Sequence, residues 1–239
     1  MSTLTGAPPP ELHHQHRDVT GGWLRPATFG VMDGLVSNFS LVAGVVGGGA
    51  SPHAVILTGL AGLVAGSCSM ATGEYTSVSS QNELTHAEIS TERRELSVNA
   101  EEEERELALI YRAKGLRPEL ADEVARELSA QPDIAWRVHV REELGVDPDD
   151  LPSPWTAAAS SFVAFAFGAL VPLLPFFLGA SSVVLALALS ALALVAAGGV
   201  ISRLTATPAW FGSSRQLLLG GLSAAVTYGV GLLVGSGVS

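Results

Sequence analysis

The chain has 239 residues, of which 48% are hydrophobic and 15% charged, and its 13 basic and 23 acidic side chains leave a formal net charge of −10. This balance excludes a basic phosphate-binding surface, so nucleic acid is not an expected partner and cations are. The charge is also confined, because twenty of the acidic residues fall between Glu74 and Asp150, while from Leu151 to Ser239 the only charges are Arg203 and Arg215. A chain so divided reads as an all-α membrane protein with a polar insert, since about 20 apolar residues cross a bilayer.

In chain order, residues 1–24 are polar, carry His13, His14 and His16, lack the apolar core of a signal peptide and read as a mobile cytoplasmic tail. Hydropathy then predicts five transmembrane helices, at about 27–49, 53–77, 155–179, 181–202 and 215–236. The first two make a unit over 25–80, the last three a unit over 151–239, and a polar segment over 81–150 lies between them. Arginines occur before the first span, through the insert, and at 203 and 215, but not in the 47–52 turn, the 179–182 turn or the C-terminus. By the positive-inside rule the N-terminus and insert are cytoplasmic and the C-terminus is on the opposite side. Glycines at 44, 48, 59, 62, 66 and 73, and again at 221, 231 and 235, allow close helix packing. Pro172 and Pro175 should loosen the third span and free carbonyls that need a partner. The single cysteine, Cys68, has no intrachain disulfide partner and reads as packing.

The insert reads as three helices. The second span continues through Ser77–Ser80 into a polar helix ending near Lys114–Gly115, Pro118 opens another to about Ala130, and Pro132 opens a third that ends at Leu144–Gly145. On a continuous first helix, Glu88, Glu92, Glu95, Glu102, Glu103 and Glu106 share an arc of about 100°. Like charges so spaced repel, so a metal or a neighbouring helix must offset them. The pairs Glu92/Glu95 and Glu103/Glu106, with Glu142, Glu143 and His139 on the later helix, supply oxygen and imidazole donors suited to Fe(II) or Mn(II). A di-iron oxidase would want Glu-x-x-His on two helices, and only Glu83-x-x-His86 fits, away from the stripe; the protein is not expected to be an enzyme.

Asp33 lies in the first apolar span, and an ionisable residue there is a functional site by default. Counting outward from the Ser51–Pro52 turn, Asp33 and Met70 are equidistant, about 27 Å along their helices, so a helical hairpin sets carboxylate and thioether at one depth. Glu74 follows Met70 by one turn as a second ligand or proton carrier. The mixed donor set selects borderline transition metals over magnesium or calcium, and a buried carboxylate couples metal arrival to proton release.

The segments Asp33-Gly34-Leu35-Val36-Ser37-Asn38-Phe39, Leu41-Val42-Ala43-Gly44 and Ser69-Met70-Ala71-Thr72-Gly73-Glu74-Tyr75 resemble the vacuolar iron transporter family, and the likeness runs from about residue 25 through nearly the whole chain. The resemblance implies five transmembrane helices with a three-helix cytoplasmic metal-binding domain inserted between the second and third, in a homodimer that exchanges ferrous or manganous ions for protons. It makes Asp33 and Met70 translocation-path residues, and Glu92, Glu95, Glu103, Glu106 and Glu143 the cytoplasmic metal site. Where plant members carry a methionine pair before the last glutamate, this chain has His139 and Val140, so an imidazole replaces a softer donor and the family's metal preference does not carry over directly.

Together these readings lead to a proton-coupled antiporter exporting Fe(II) or Mn(II) from the cytoplasm, with no prosthetic group, in a bilayer expected to be a bacterial plasma membrane. Two competing readings keep the spans as an anchor: a membrane-tethered metal-binding or oxidising module, and a scaffold whose acidic insert recruits proteins. The first of these makes Asp33 and Met70 dispensable; the second leaves Asp33 unexplained.

Overall fold

A computed structural model describes residues 22–180, 182–205 and 207–237; the histidine-bearing tail lies outside these. The described residues form helices and connecting turns, without a strand. In order they are α1 (Leu24–Gly47), α2 (Pro52–Val98), α3 (Ala100–Ala113), α4 (Pro118–Ser129), α5 (Pro132–His139) followed by a π-helical turn (Val140–Leu144), α6 (Pro154–Leu170) followed by a 3₁₀ turn (Val171–Leu173), α7 (Leu174–Phe177), α8 (Val183–Leu204) and α9 (Ala209–Gly237).

Five helical segments are long and apolar enough to cross a membrane: α1, the first half of α2, α6 with α7, α8 and α9. The hairpin between α1 and α2 turns at Gly49, whose φ of +78° suits a residue without Cβ, and α2 restarts at Ser51, whose hydroxyl accepts from the Ala54 amide ahead of Pro52. Serine followed by proline opens α6 in the same way, with Ser153 accepting from the Thr156 amide. Trp23, Trp155 and Trp210 stand at or just before the starts of α1, α6 and α9. Tyr75 meets Trp155 with ring centroids 4.8 Å apart. Amphipathic aromatics at helix starts are characteristic of a membrane–water boundary, and the Tyr75–Trp155 contact ties α2 to the start of α6 at that level.

α1 is the central helix. Its Leu35, Phe39 and Ala43 pack with Leu194 of α8 and Ala224 of α9, and its Val42 joins Val55, Leu173, Phe176 and Ala186. Contact with α6 is backbone to backbone: a Cβ on Gly34 would lie 2.2 Å from the Phe165 carbonyl oxygen, and one on Gly168 2.2 Å from that of Val31. Without a hydrophobic driving force in lipid, close approach of this kind holds helices together. Gly34→Ala should therefore separate α1 from α6, and size-exclusion chromatography in detergent is expected to show aggregated rather than monodisperse protein.

The glycines of the first two spans and of α9 mostly do what their spacing predicts. Gly59 faces Leu173, Gly66 faces Phe165, and Gly231 faces the Gly44 carbonyl, whereas Gly73 and Gly221 face open space. The seam of Gly231 and Gly235 thus lies within one chain, against α1. Pro172 and Pro175 are both buried and break α6 as expected; the Asn38 side-chain amide donates to the Ala169 carbonyl at that break. In the most apolar stretch of α1, 50% of residues are buried, against 17% in α2 and 11% in α9. So α2 is less covered than α1 within one chain, and one face is left for lipid or a second copy.

The polar segment departs from the sequence reading at one point. The first helix of the insert is not continuous to Lys114: it stops at Asn99 (φ −124°, ψ 36°), whose carbonyl accepts from the Glu102 and Glu103 amides as α3 begins. Helical phase is lost there, and the six-glutamate stripe with it. Leu107, Ala108 and Ala125, with Tyr111, Leu128 and Val138, form the small core that packs α3, α4 and α5 together.

Candidate metal centre and membrane cavity

Four of the expected donors do meet, by tertiary folding rather than along one helix. Glu92 of α2, Glu103 of α3, and His139 and Glu143 at the end of α5 and in its π-helical turn bring ligand atoms within 4.8 Å of one another. His139 is fully buried, and its Nδ1 lies 2.8 Å from Glu143 Oε1, 3.2 Å from Glu92 Oε1 and 3.7 Å from Glu103 Oε2. Its Nε2 and Glu92 Oε1 have no hydrogen-bond partner. Buried polar atoms are ordinarily satisfied, so three carboxylates crowded on one imidazole are short of positive charge. Three oxygens and one imidazole nitrogen suit a divalent transition ion with bonds of about 2 Å.

Burial and repulsion raise the proton affinity of the cluster. Burial, then the charges of Glu143 and Glu103, push the Glu92 carboxyl from 4.5 up to about 7. Glu103 is also raised by burial, an effect that His139 partly offsets. In the metal-free protein, folded Glu92 keeps a proton that the unfolded chain releases between pH 4.5 and about 7. Its contribution therefore makes the metal-free fold less stable as pH rises through that window. A bound ion reverses the preference, because metal and proton compete for the same oxygens. Mn(II) affinity of the purified protein should fall about tenfold between about pH 8 and about pH 6, which equilibrium titration at the two pH values checks.

The other glutamates stand beside this group. Glu95 pairs with Arg94 at 3.3 Å and accepts from Asn99 Nδ2 at 2.8 Å. Glu106 is exposed on α3, and Glu142 pairs with Lys114. Their charges still act on the cluster: Glu106 raises both Glu92 and Glu103, and Glu95 raises Glu103. Glu83 and His86 are exposed.

In the membrane part, Asp33 and Glu74 line one cavity of about 820 Å³. α1 also contributes Leu24, Arg25, Thr28, Phe29, Met32 and Val36, while Ile201, Thr205, Gln216 and Leu219 come from α8, α9 and the turn between them. Counting about 1.5 Å per residue, Asp33 is about 15 Å along α1 from Trp23, so the cavity runs from the aromatic level well into the apolar layer. Ser37 Oγ donates to Asp33 Oδ1 at 2.9 Å. Met70 is half-buried one turn before Glu74 and is not among the residues lining the cavity. Thr28, Thr205 and Gln216 escaped the sequence reading, since common polar residues carry no signal until distant helices bring them to a carboxylate.

Comparison with known proteins agrees with this architecture. The profile of the VIT family matches residues 24–232. A vacuolar iron transporter of Acanthamoeba castellanii is 36% identical over 226 residues, covering 90% of this chain and 79% of that protein. Vacuolar iron transporter homolog 3 of Arabidopsis thaliana is 36% identical over 217 residues, covering 90% and 84%, and vacuolar iron transporter 2 of Oryza sativa is 30% identical over 231, covering 94% and 92%. With a profile match over residues 24–232 and relatives aligned over most of their length, the protein belongs to the VIT family, whose members are transporters rather than enzymes.

Proposed function

We propose that this protein is a proton-coupled antiporter moving Fe(II) or Mn(II) out of the cytoplasm, and that it works as a homodimer. The observation that carries the reading is the group Glu92, Glu103, His139 and Glu143, of which Glu92 stands on the polar extension of a membrane-spanning helix whose Glu74 lines the same cavity as Asp33. Metal gathered by the cluster, with Glu95 and Glu106 adding negative potential around it, enters the cavity at the aromatic level and passes Glu74 and Asp33, with Met70 one helical turn from Glu74 beside that path. The relatives' names, which specify iron transport, support metal as cargo.

Proton coupling follows from the donors. A carboxylate in an apolar setting favours its protonated form when no cation is present. Arrival of a divalent ion at Asp33 releases a proton, and a proton arriving from the far side releases the ion. Manganese stands beside iron because oxygen and imidazole donors accept both. The arginine distribution supports a cytoplasmic N-terminus and insert. The relatives' names place them at the vacuole, and across either a vacuolar or a bacterial plasma membrane the proposed direction is away from the cytoplasm. In the proposed homodimer a second copy covers part of the apolar faces that α2 and α9 leave exposed. The cavity at Asp33 favours transport over a tethered metal-binding module, in which that residue has no task.

The test is cellular metal content. Cells expressing the protein and loaded with Fe(II) or Mn(II) should retain less of the cargo ion than cells carrying empty vector. Equal retention of both ions would contradict export.

A further inference from the structure

α5 has only eight residues, too few for a stable isolated helix. Its docking against α2 is what brings His139 to Glu92. At that junction the Arg93 guanidinium of α2 lies 3.8 Å from the centroid of the Trp136 ring of α5, and Arg137 lies 4.9 Å from the same ring. Arg137 is held in turn by Asp149, and Arg141 by Asp147 at 2.8 Å, which ties down the π-helical turn that carries Glu143. Arg93 adjoins Glu92 in sequence, and Trp136 precedes His139 by one turn. The stack thus fastens the two helices next to the two ligands they contribute.

We propose that Arg93 and Trp136 are positioning residues of the metal centre: their cation–π stack holds α5 on α2 against the mutual repulsion of the carboxylates and so keeps His139 and Glu143 within reach of Glu92 and Glu103. This rests on the metal-site reading of the cluster. It also makes a prediction whose sign opposes simple electrostatics. Arg93 is a positive charge beside a cation site, so if it acted through its charge alone, removing it would tighten metal binding. Acting through the stack, it must weaken binding when removed, by about two- to fivefold for an exposed interaction of this class.

The experiment titrates the full-length protein in detergent with Mn(II) and reads free Mn(II) by electron paramagnetic resonance. Arg93→Gln and Trp136→Leu should each weaken binding several-fold without changing the number of ions bound. Arg93→Lys, which keeps a cation over the ring, should retain most of the affinity, and the double variant should bind no worse than the weaker single one, because both remove the same contact. Unchanged or tighter binding by Arg93→Gln overturns the proposal. Arg93 is exposed, so this variant tests it even where Trp136→Leu fails to fold. The site reading fails on a different result, namely equal Mn(II) binding by wild type and a Glu92→Gln, Glu103→Gln variant.

Discussion

Asp33→Ala is expected to reduce metal flux by at least about a hundredfold while leaving a monodisperse protein that still binds metal at the cluster. The size follows from the role: even residues that merely orient a ligand cost 10- to 100-fold when removed, and a ligand on the path should cost no less. Folding should survive because Asp33 faces a cavity rather than the packed seam, which lies with Gly34 and Leu35. Asp33→Asn keeps the shape and the Ser37 contact but removes the charge, so it separates charge from volume. Both variants should fail in vesicle flux assays, and normal flux through Asp33→Asn would mean that the carboxylate neither carries the ion nor exchanges it for a proton.

Glu92→Gln combined with Glu103→Gln should have two effects of opposite sign. Mn(II) binding at the cluster should be lost, since two of three carboxylate donors become amides. The metal-free protein should become more stable to heat at neutral pH and above, because the carboxyl that burial and repulsion push up to about 7 no longer has to ionise in place. A rise in thermal midpoint together with loss of binding is the signature of a site that holds repelling charges ready for a cation. Loss of binding with a fall in the midpoint would instead mean that the glutamates serve the fold. Calorimetry with and without Mn(II) reads both quantities on the same samples.

Much of this organisation was legible in the sequence because it rests on local rules. Apolar runs of bilayer length gave the spans, and Pro118 and Pro132 opened helices where proline at the first turn is tolerated. The break at Asn99 went unread although a signal was present: asparagine followed by Glu101, Glu102 and Glu103 is a helix start with acidic residues in its first turn. Treating 77–114 as one helix produced a stripe that the fold does not contain, yet Glu92, Glu103, Glu143 and His139 do come within 4.8 Å of one another. Residue type and charge repulsion pointed to them, and tertiary docking of α5 brought them together. What local rules cannot supply is a long-range partner. That Asn38 would satisfy the carbonyl freed at the α6 break, and that Gln216 would face the cavity of Asp33, depends on how α1 packs against α6, α8 and α9.

Coupling of metal to protons is the central claim, and wild-type protein in sealed proteoliposomes with a pH indicator trapped inside tests it most directly. Adding Fe(II), and in a separate run Mn(II), to the face bearing the insert should carry metal inward and protons outward, so the lumen turns alkaline in step with uptake, and an acid lumen should speed uptake. Metal entry with no change in lumenal pH, and no response to an imposed pH gradient, would contradict the account.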